Sequence, residues 1–251
     1  MSITQLPSNP VATYIQGSPS AKKLAVVLPG KLDTKDYPHM RSHVDFLAEK
    51  GYLALSFDPP GTWESPGDIG LYTMTNYLAA INELIAYFGN KPTFVIGHSR
   101  GGSMAMLAGV ENPHITSFAA IMSYYSFDPK VHGDFPDTTW KKRGYKTSRR
   151  DIPFTEPTVY REFNLPYSFL EDEVHYDVTA VLAKCKKPKL FILGKRDVLV
   201  PPSIVREGFD LSAEPKQLIE IDCAHDYRKH PDKIKEVEKI IEKFINTYPT
   251  E

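Results

Sequence analysis

The 251 residues, 41% of them hydrophobic and 12% aromatic, supply enough apolar surface to fill the core of one large α/β domain or of two small ones. Thirty basic residues against thirty-one acidic ones leave a formal net charge of −1, so no overall field draws the chain to nucleic acid or to an anionic membrane, and a small or neutral partner is expected. Cys185 and Cys223 lack C-x-x-C spacing, which excludes a disulfide framework and a thiolate metal site.

The opening Met-Ser-Ile-Thr-Gln-Leu-Pro has neither a basic nor an apolar leader-like stretch, and no apolar run nears the ~18 residues that span a bilayer, so the expected compartment is the cytoplasm. Taken in chain order, residues 24–28 predict a first buried strand, 39–50 a helix, 52–57 a strand, 74–88 a helix, 93–97 a strand, 101–110 a helix and 118–123 a strand. From Tyr124 to Ala183 this alternation lapses into a segment dense in Pro, aromatics and charge. It resumes with a strand over 189–194, a helix over 202–211, a strand over 217–222 and a helix over 231–248. The strands are near-continuously apolar rather than alternating, the habit of a parallel sheet covered by helices on both faces. The expected architecture is therefore α/β, with a core formed by 1–123 and 184–251 and an inserted cap at 124–183.

The chemistry concentrates where strands end. Gly97-His98-Ser99-Arg100-Gly101-Gly102 joins the 93–97 strand to the following helix. A bare G-x-S-x-G arises by chance in roughly one chain in ten of this size, so its strand-to-helix setting carries the argument. A tight turn there pushes the Ser99 hydroxyl into the open, and the helix N-terminus faces any negative charge developing beside it. A serine hydroxyl needs a base, and His225, just after the last predicted strand, emerges at the same sheet edge. Among the other histidines, His98 reads as a packing residue. His39 and His43 read as a solvated helix face lacking a third metal ligand, and His175 and His230 as surface. Asp197, in the loop after 189–194, is the leading carboxylate to orient His225, ahead of Asp222 and Asp226, and gives the chain order Ser, Asp, His. The oxyanion donors are expected to be the backbone N–H of Arg100 and that of Lys31, in Leu28-Pro29-Gly30-Lys31-Leu32. No metal or organic cofactor is called for.

Together with Phe57-Asp58-Pro59-Pro60-Gly61, the segments Gly97-His98-Ser99-Arg100-Gly101, Gly194-Lys195-Arg196-Asp197 and Cys223-Ala224-His225 resemble the α/β-hydrolase superfamily over nearly the whole chain. Size, cap position and motif order are similar to small bacterial carboxylesterases, including the cinnamoyl and feruloyl esterase group, and to serine aminopeptidase-type hydrolases. The resemblance implies a serine hydrolase acting on carboxylic esters of small or aryl acids, with a peptidase or amidase on short peptides and a non-catalytic ligand-binding protein of the same fold as alternatives. Two positions depart from the pattern. Pro29 stands where those esterases usually have the His of His-Gly, and Trp63 stands where a second glycine is common, either narrowing the pocket or packing under the loop.

The cap segment holds Tyr124, Tyr125, Phe127, Phe135, Trp140, Tyr145, Phe154, Tyr160, Phe163, Tyr167 and Phe169. Some of these make the cap's own core and others line an apolar acyl or aryl pocket, for which Trp63, Tyr125 and Trp140 are the candidates. Lys141, Lys142, Arg143, Lys146, Arg149 and Arg150 read as a solvated face, or as a source of one or two contacts to a substrate carboxylate.

Overall fold

Strand side chains alternate across a sheet, so a strand buried at every position must be covered on both faces. Such strands are β3 (Leu24–Leu28), β4 (Leu53–Phe57), β5 (Thr93–His98) and β9 (Lys189–Gly194), buried throughout, with β6 (Ile115–Ile121) nearly so. The computed structural model describes residues 2–127 and 138–251. With β1 (Ser2–Thr4), β2 (Val11–Gln16) and β10 (Lys216–Ile221), they form an eight-stranded sheet of order β1-β2-β4-β3-β5-β6-β9-β10. The six strands from β4 to β10 pair in parallel, while β1 and β2 join antiparallel at one edge.

Alternate β3 residues feed different cores. Leu24, Val26 and Leu28 pack with α2 (Met74–Tyr87), α3 (Arg100–Glu111) and Val205 of α7 (Pro202–Leu211). Ala25 and Val27 pack with α1 (Pro38–Glu49) and with Ile234, Val237, Ile241 and Phe244 of α8 (Pro231–Thr247). Each predicted strand and helix of the core appears within three residues of its expected bounds. The N-terminal antiparallel pair was not anticipated.

Between β6 and β9 lie α4 (Thr138–Arg143), a two-stranded antiparallel hairpin β7 (Tyr145–Asp151) and β8 (Tyr160–Pro166), α5 (Ser168–Glu173) and α6 (Thr179–Leu182). The hairpin lies in a stretch whose charge hides its β character. Arg149 sits opposite Glu162 in the ladder, so cross-strand charge pairing replaces apolar alternation there.

The turn around Ser99, from β5 into α3, requires close backbone contact. A Cβ on Gly101 would lie 2.0 Å from the Leu28 carbonyl oxygen and 2.7 Å from that of Pro29. No rotamer relieves a clash with backbone, so Gly101→Ala must push α3 off the end of β3. The expected cost is about 3 kcal/mol or more, lowering the melting temperature by about 10 °C. A calorimetric scan checks this, and an unchanged midpoint contradicts the contact.

Candidate active site

Ser99 caps α3 with φ 54° and ψ −124°, a left-handed conformation that is strained for a residue with a Cβ. Its neighbours make the turn possible: a Cβ on Gly97 would meet the Gly101 carbonyl oxygen at 2.1 Å, and the Ser99 amide donates to the Ile121 carbonyl of the adjoining strand at 2.8 Å. The strain lifts the hydroxyl from the end of β5 toward the loop that follows β10.

From that loop His225 reaches back, its Nε2 3.0 Å from Ser99 Oγ and its Nδ1 2.7 Å from Asp197 Oδ2. A carboxylate only accepts, so Nδ1 carries the proton and Nε2 is left to accept one from the serine. The Asp197 side chain is fully buried. Its other oxygen accepts from the amides of Leu199 and Val200, both at 2.9 Å, which fixes the carboxylate plane. The competing carboxylates are engaged elsewhere: Asp222 pairs with Arg196 at 2.9 Å and Asp226 accepts from Arg228 Nε at 2.6 Å.

Beneath this triad the structure corrects one expectation. His39 and His43 are completely buried, not on a solvated face. They lie on the inward face of α1, where His39 packs against the rings of His98 and Tyr227, at centroid distances of 5.4 and 5.2 Å, and His43 Nε2 shares a 2.9 Å hydrogen bond with Tyr227 Oη. Burial, reinforced by neighbouring charge, holds His39 and His98 well below the usual histidine range, so both are neutral. Asp33, His39 and His98 each bring one potential ligand atom within 4.8 Å of the others. Arg150 stands 3.7 Å from Asp33, and Arg228 depresses His39, so positive charge already borders this cluster. His175 and His230 are exposed, as expected.

His98 does more than pack. Its Nε2 donates to the backbone carbonyl of His225 at 3.0 Å, and the two rings lie 4.8 Å apart. It thereby fixes the backbone that carries the His225 ring. We expect His98→Ala to lower kcat about tenfold with little change in KM, and His98→Asn, whose amide N–H retains a donor, to recover part of the loss. Equal losses in both variants, or a change confined to KM, contradict that role. Its adjacency to Ser99 was visible in sequence; its reach to residue 225 was not.

Arg100 is the first residue of α3, so its N–H has no helical acceptor. In the facing loop the Leu32 amide donates to Tyr72 Oη at 3.1 Å and the Asp33 amide to the Gly30 carbonyl at 3.1 Å, which leaves Lys31 outside both bonds. Arg150 Nε donates to the Lys31 carbonyl at 3.1 Å and anchors the loop from the hairpin. Trp63, itself at φ 45°, braces the loop too: its indole N–H donates to the Leu32 carbonyl at 2.9 Å and its ring packs on Phe163.

Trp140 is buried, donates to the Leu165 carbonyl at 3.0 Å and stacks on Phe169, with Lys31 Nζ 5.7 Å from its ring centre. Tyr125 is buried at the junction with α7, where Gly208 would clash with it if it carried a Cβ; burial and the Glu207 carboxylate push its phenol up to about 12. Phe135 lies outside the described residues. Of the basic run, Lys141, Lys142, Arg143, Lys146 and Arg149 are exposed, and Arg150 turns inward.

A family model described as alpha/beta hydrolase fold matches residues 26–171. No curated protein sequence matches the chain. Among solved structures, alpha/beta hydrolase domain-containing protein 10 from mouse superposes with a TM-score of 0.77 at 17% identity, covering 98% of each chain. Est1E from Butyrivibrio proteoclasticus with ferulic acid bound gives 0.76 at 18% identity, covering 98% of this chain and 100% of that one. The enol-lactonase from Burkholderia xenovorans gives 0.72 at 17% identity, with 98% and 100% covered. At these identities the likeness is one of fold.

Proposed function

Because the chain belongs to the α/β-hydrolase fold family, whose model spans more than half of it, we propose that it is a serine hydrolase that cleaves carboxylic esters of small or aryl acids through an acyl-enzyme on Ser99. The observation that carries this reading is the unbroken relay from Ser99 Oγ through His225 to Asp197, at 3.0 and 2.7 Å.

In the first half-reaction His225 Nε2 takes the serine proton as Oγ attacks the carbonyl, and the resulting imidazolium is stabilised by Asp197. The amides of Arg100 and Lys31 receive the oxyanion. His225 then hands the proton to the departing alkoxide. In the second half, water attacks the acyl-enzyme with His225 again as base, and the acid leaves as Ser99 regains its proton. Each step is assigned to a protein group. The described part of the insertion, residues 124–127 and 138–183, serves as a cap over the site, and a cytoplasmic setting goes with two cysteines that are both free and buried. Among the described residues no helix is long and apolar enough to cross a membrane.

Ester is favoured over peptide because Glu173, the carboxylate beside the site that could hold a free amino terminus, is ion-paired to Arg100. The occurrence of an enol-lactonase and of Est1E with ferulic acid among the structural neighbours fits the same bond type. A panel of p-nitrophenyl and aryl esters of increasing chain length, run beside aminoacyl amides, tests it. Turnover of esters with no comparable turnover of amides is expected. Preferential amide cleavage supports the peptidase reading instead, and turnover of neither supports a binding protein.

A further inference from the structure

The side chains flanking Ser99 carry more positive charge than cleavage of a neutral ester uses. The Arg100 guanidinium is buried beneath the inserted segment, ion-paired through Nη2 to Glu173 of α5 and set over the rings of Phe127 and Phe169 at 5.1 and 4.6 Å. Its Nε and Nη1 are buried with no hydrogen-bond partner. On the same Phe169 ring, 4.8 Å from its centre, sits the ammonium of Lys31, for which no carboxylate among the described residues forms an ion pair. Lys146 Nζ lies 5.6 Å from the Trp140 ring that Lys31 also faces, and Arg150 holds the Lys31 carbonyl. The charges that act most strongly on Lys31 are Arg100, Lys146 and Arg150 against Glu173, and Arg150 is itself paired with Asp33 at 3.7 Å.

Two partly desolvated cations sharing one counterion beside a nucleophile are costly unless an anion joins them. Resting on the proposal that Ser99 is the nucleophile, we propose that Lys31 and Arg100 receive a carboxylate or similar anionic group of the substrate, so that the preferred ester is negatively charged. The arrangement couples the two tasks of the loop: the residue whose amide faces the oxyanion presents its side chain to the remote anion, and the residue after the nucleophile does the same from α3. Burial first, then Arg100, opposed by Glu173, with smaller effects of Lys146 and Arg150, lowers the Lys31 ammonium to about 8. The seat should therefore lose charge in mildly alkaline solution. Lys141 and Lys142 of α4, by contrast, face solvent and contribute little.

The test compares kcat/KM for two matched pairs of esters. Mono-p-nitrophenyl glutarate against p-nitrophenyl pentanoate places the charge on the acid side; 3-carboxyphenyl butanoate against phenyl butanoate places it on the alcohol side. At neutral pH one charged ester is expected to exceed its neutral partner about tenfold or more. That ratio falls to near unity in Lys31→Met and survives in Lys31→Arg. In the wild type it declines as pH rises through about 8, whereas in Lys31→Arg it persists. A ratio at or below one for both pairs, or a preference that Lys31→Met leaves in place, overturns the proposal. Should Lys31→Met not fold, wild-type protein gives a second readout: pentanoate, and not the neutral pentanamide, should slow labelling of Ser99 by a fluorophosphonate, and equal effects overturn the proposal. Labelled protein without charge preference defeats this inference alone, while protein that does not label defeats the assignment of Ser99 beneath it.

Discussion

Ser99→Ala is expected to lower kcat on every ester the protein cleaves by about a million-fold, while leaving the melting temperature nearly unchanged. The size of the effect follows from the geometry. The hydroxyl is the atom His225 Nε2 faces at 3.0 Å, and among the described residues no second hydroxyl or thiol bonds that nitrogen. Without it the proposed base has no proton to take, and what remains is binding plus the proposed amide donors of Arg100 and Lys31, a combination worth about 10³ to 10⁴ over water in triad enzymes. Stability is spared because the Cβ stays in the same strained turn, held by the unchanged bond from the residue 99 amide to the Ile121 carbonyl. Single-turnover kinetics with thermal melts on the same sample check both parts. Retention of more than about a hundredth of the activity, far above that residual level, contradicts the assignment.

Asp197→Asn should cost about 10⁴ in kcat, and the reason lies in which atom each oxygen serves. Two backbone amides, of Leu199 and Val200, point at Oδ1 at 2.9 Å each, so the single oxygen of the asparagine amide stays with them. Its NH₂ group then faces His225 Nδ1. A donor there requires Nδ1 to accept, which moves the ring proton to Nε2, the nitrogen that must be bare to take the proton of Ser99. The substitution thus preserves shape and packing while installing the wrong tautomer. Steady-state kinetics with a crystal or NMR control on the fold are the check. A loss below about tenfold means that Asp197 does not set the tautomer of His225.

The sheet core was legible because strands buried on both faces leave a signature no other element mimics at that length: β3 and β9 are apolar nearly end to end, and each is followed by a loop with chemistry in it. Ser99, Asp197 and His225 could be picked out for the same reason, since a parallel sheet delivers all its strand ends to one edge. Elements at the periphery were harder to see. β2 is only partly buried, lies next to the edge strand β1 and pairs antiparallel, and β7 carries charged residues along the hairpin, so neither shows the apolar run that marks the centre. Side chains acting over long sequence distances left no local trace. The spacing of His39 and His43 suggested one polar helix face, yet Tyr227 and His98, from two distant segments, close over it and bury both. The same holds for Arg150, whose place in a basic run gave no hint that it alone turns inward to hold the Lys31 carbonyl. Trp63, open to two readings in sequence, is tied by its indole N–H to the Leu32 carbonyl under the oxyanion loop.

The central claim is that Ser99 is an activated nucleophile, and the most direct measurement is reaction of the folded protein with a fluorophosphonate followed by mass spectrometry of its peptides. The adduct is expected on Ser99, absent from Ser99→Ala and greatly slowed in a variant lacking the His225 imidazole. Folded protein that acquires no adduct, or an adduct that persists in Ser99→Ala, contradicts the claim.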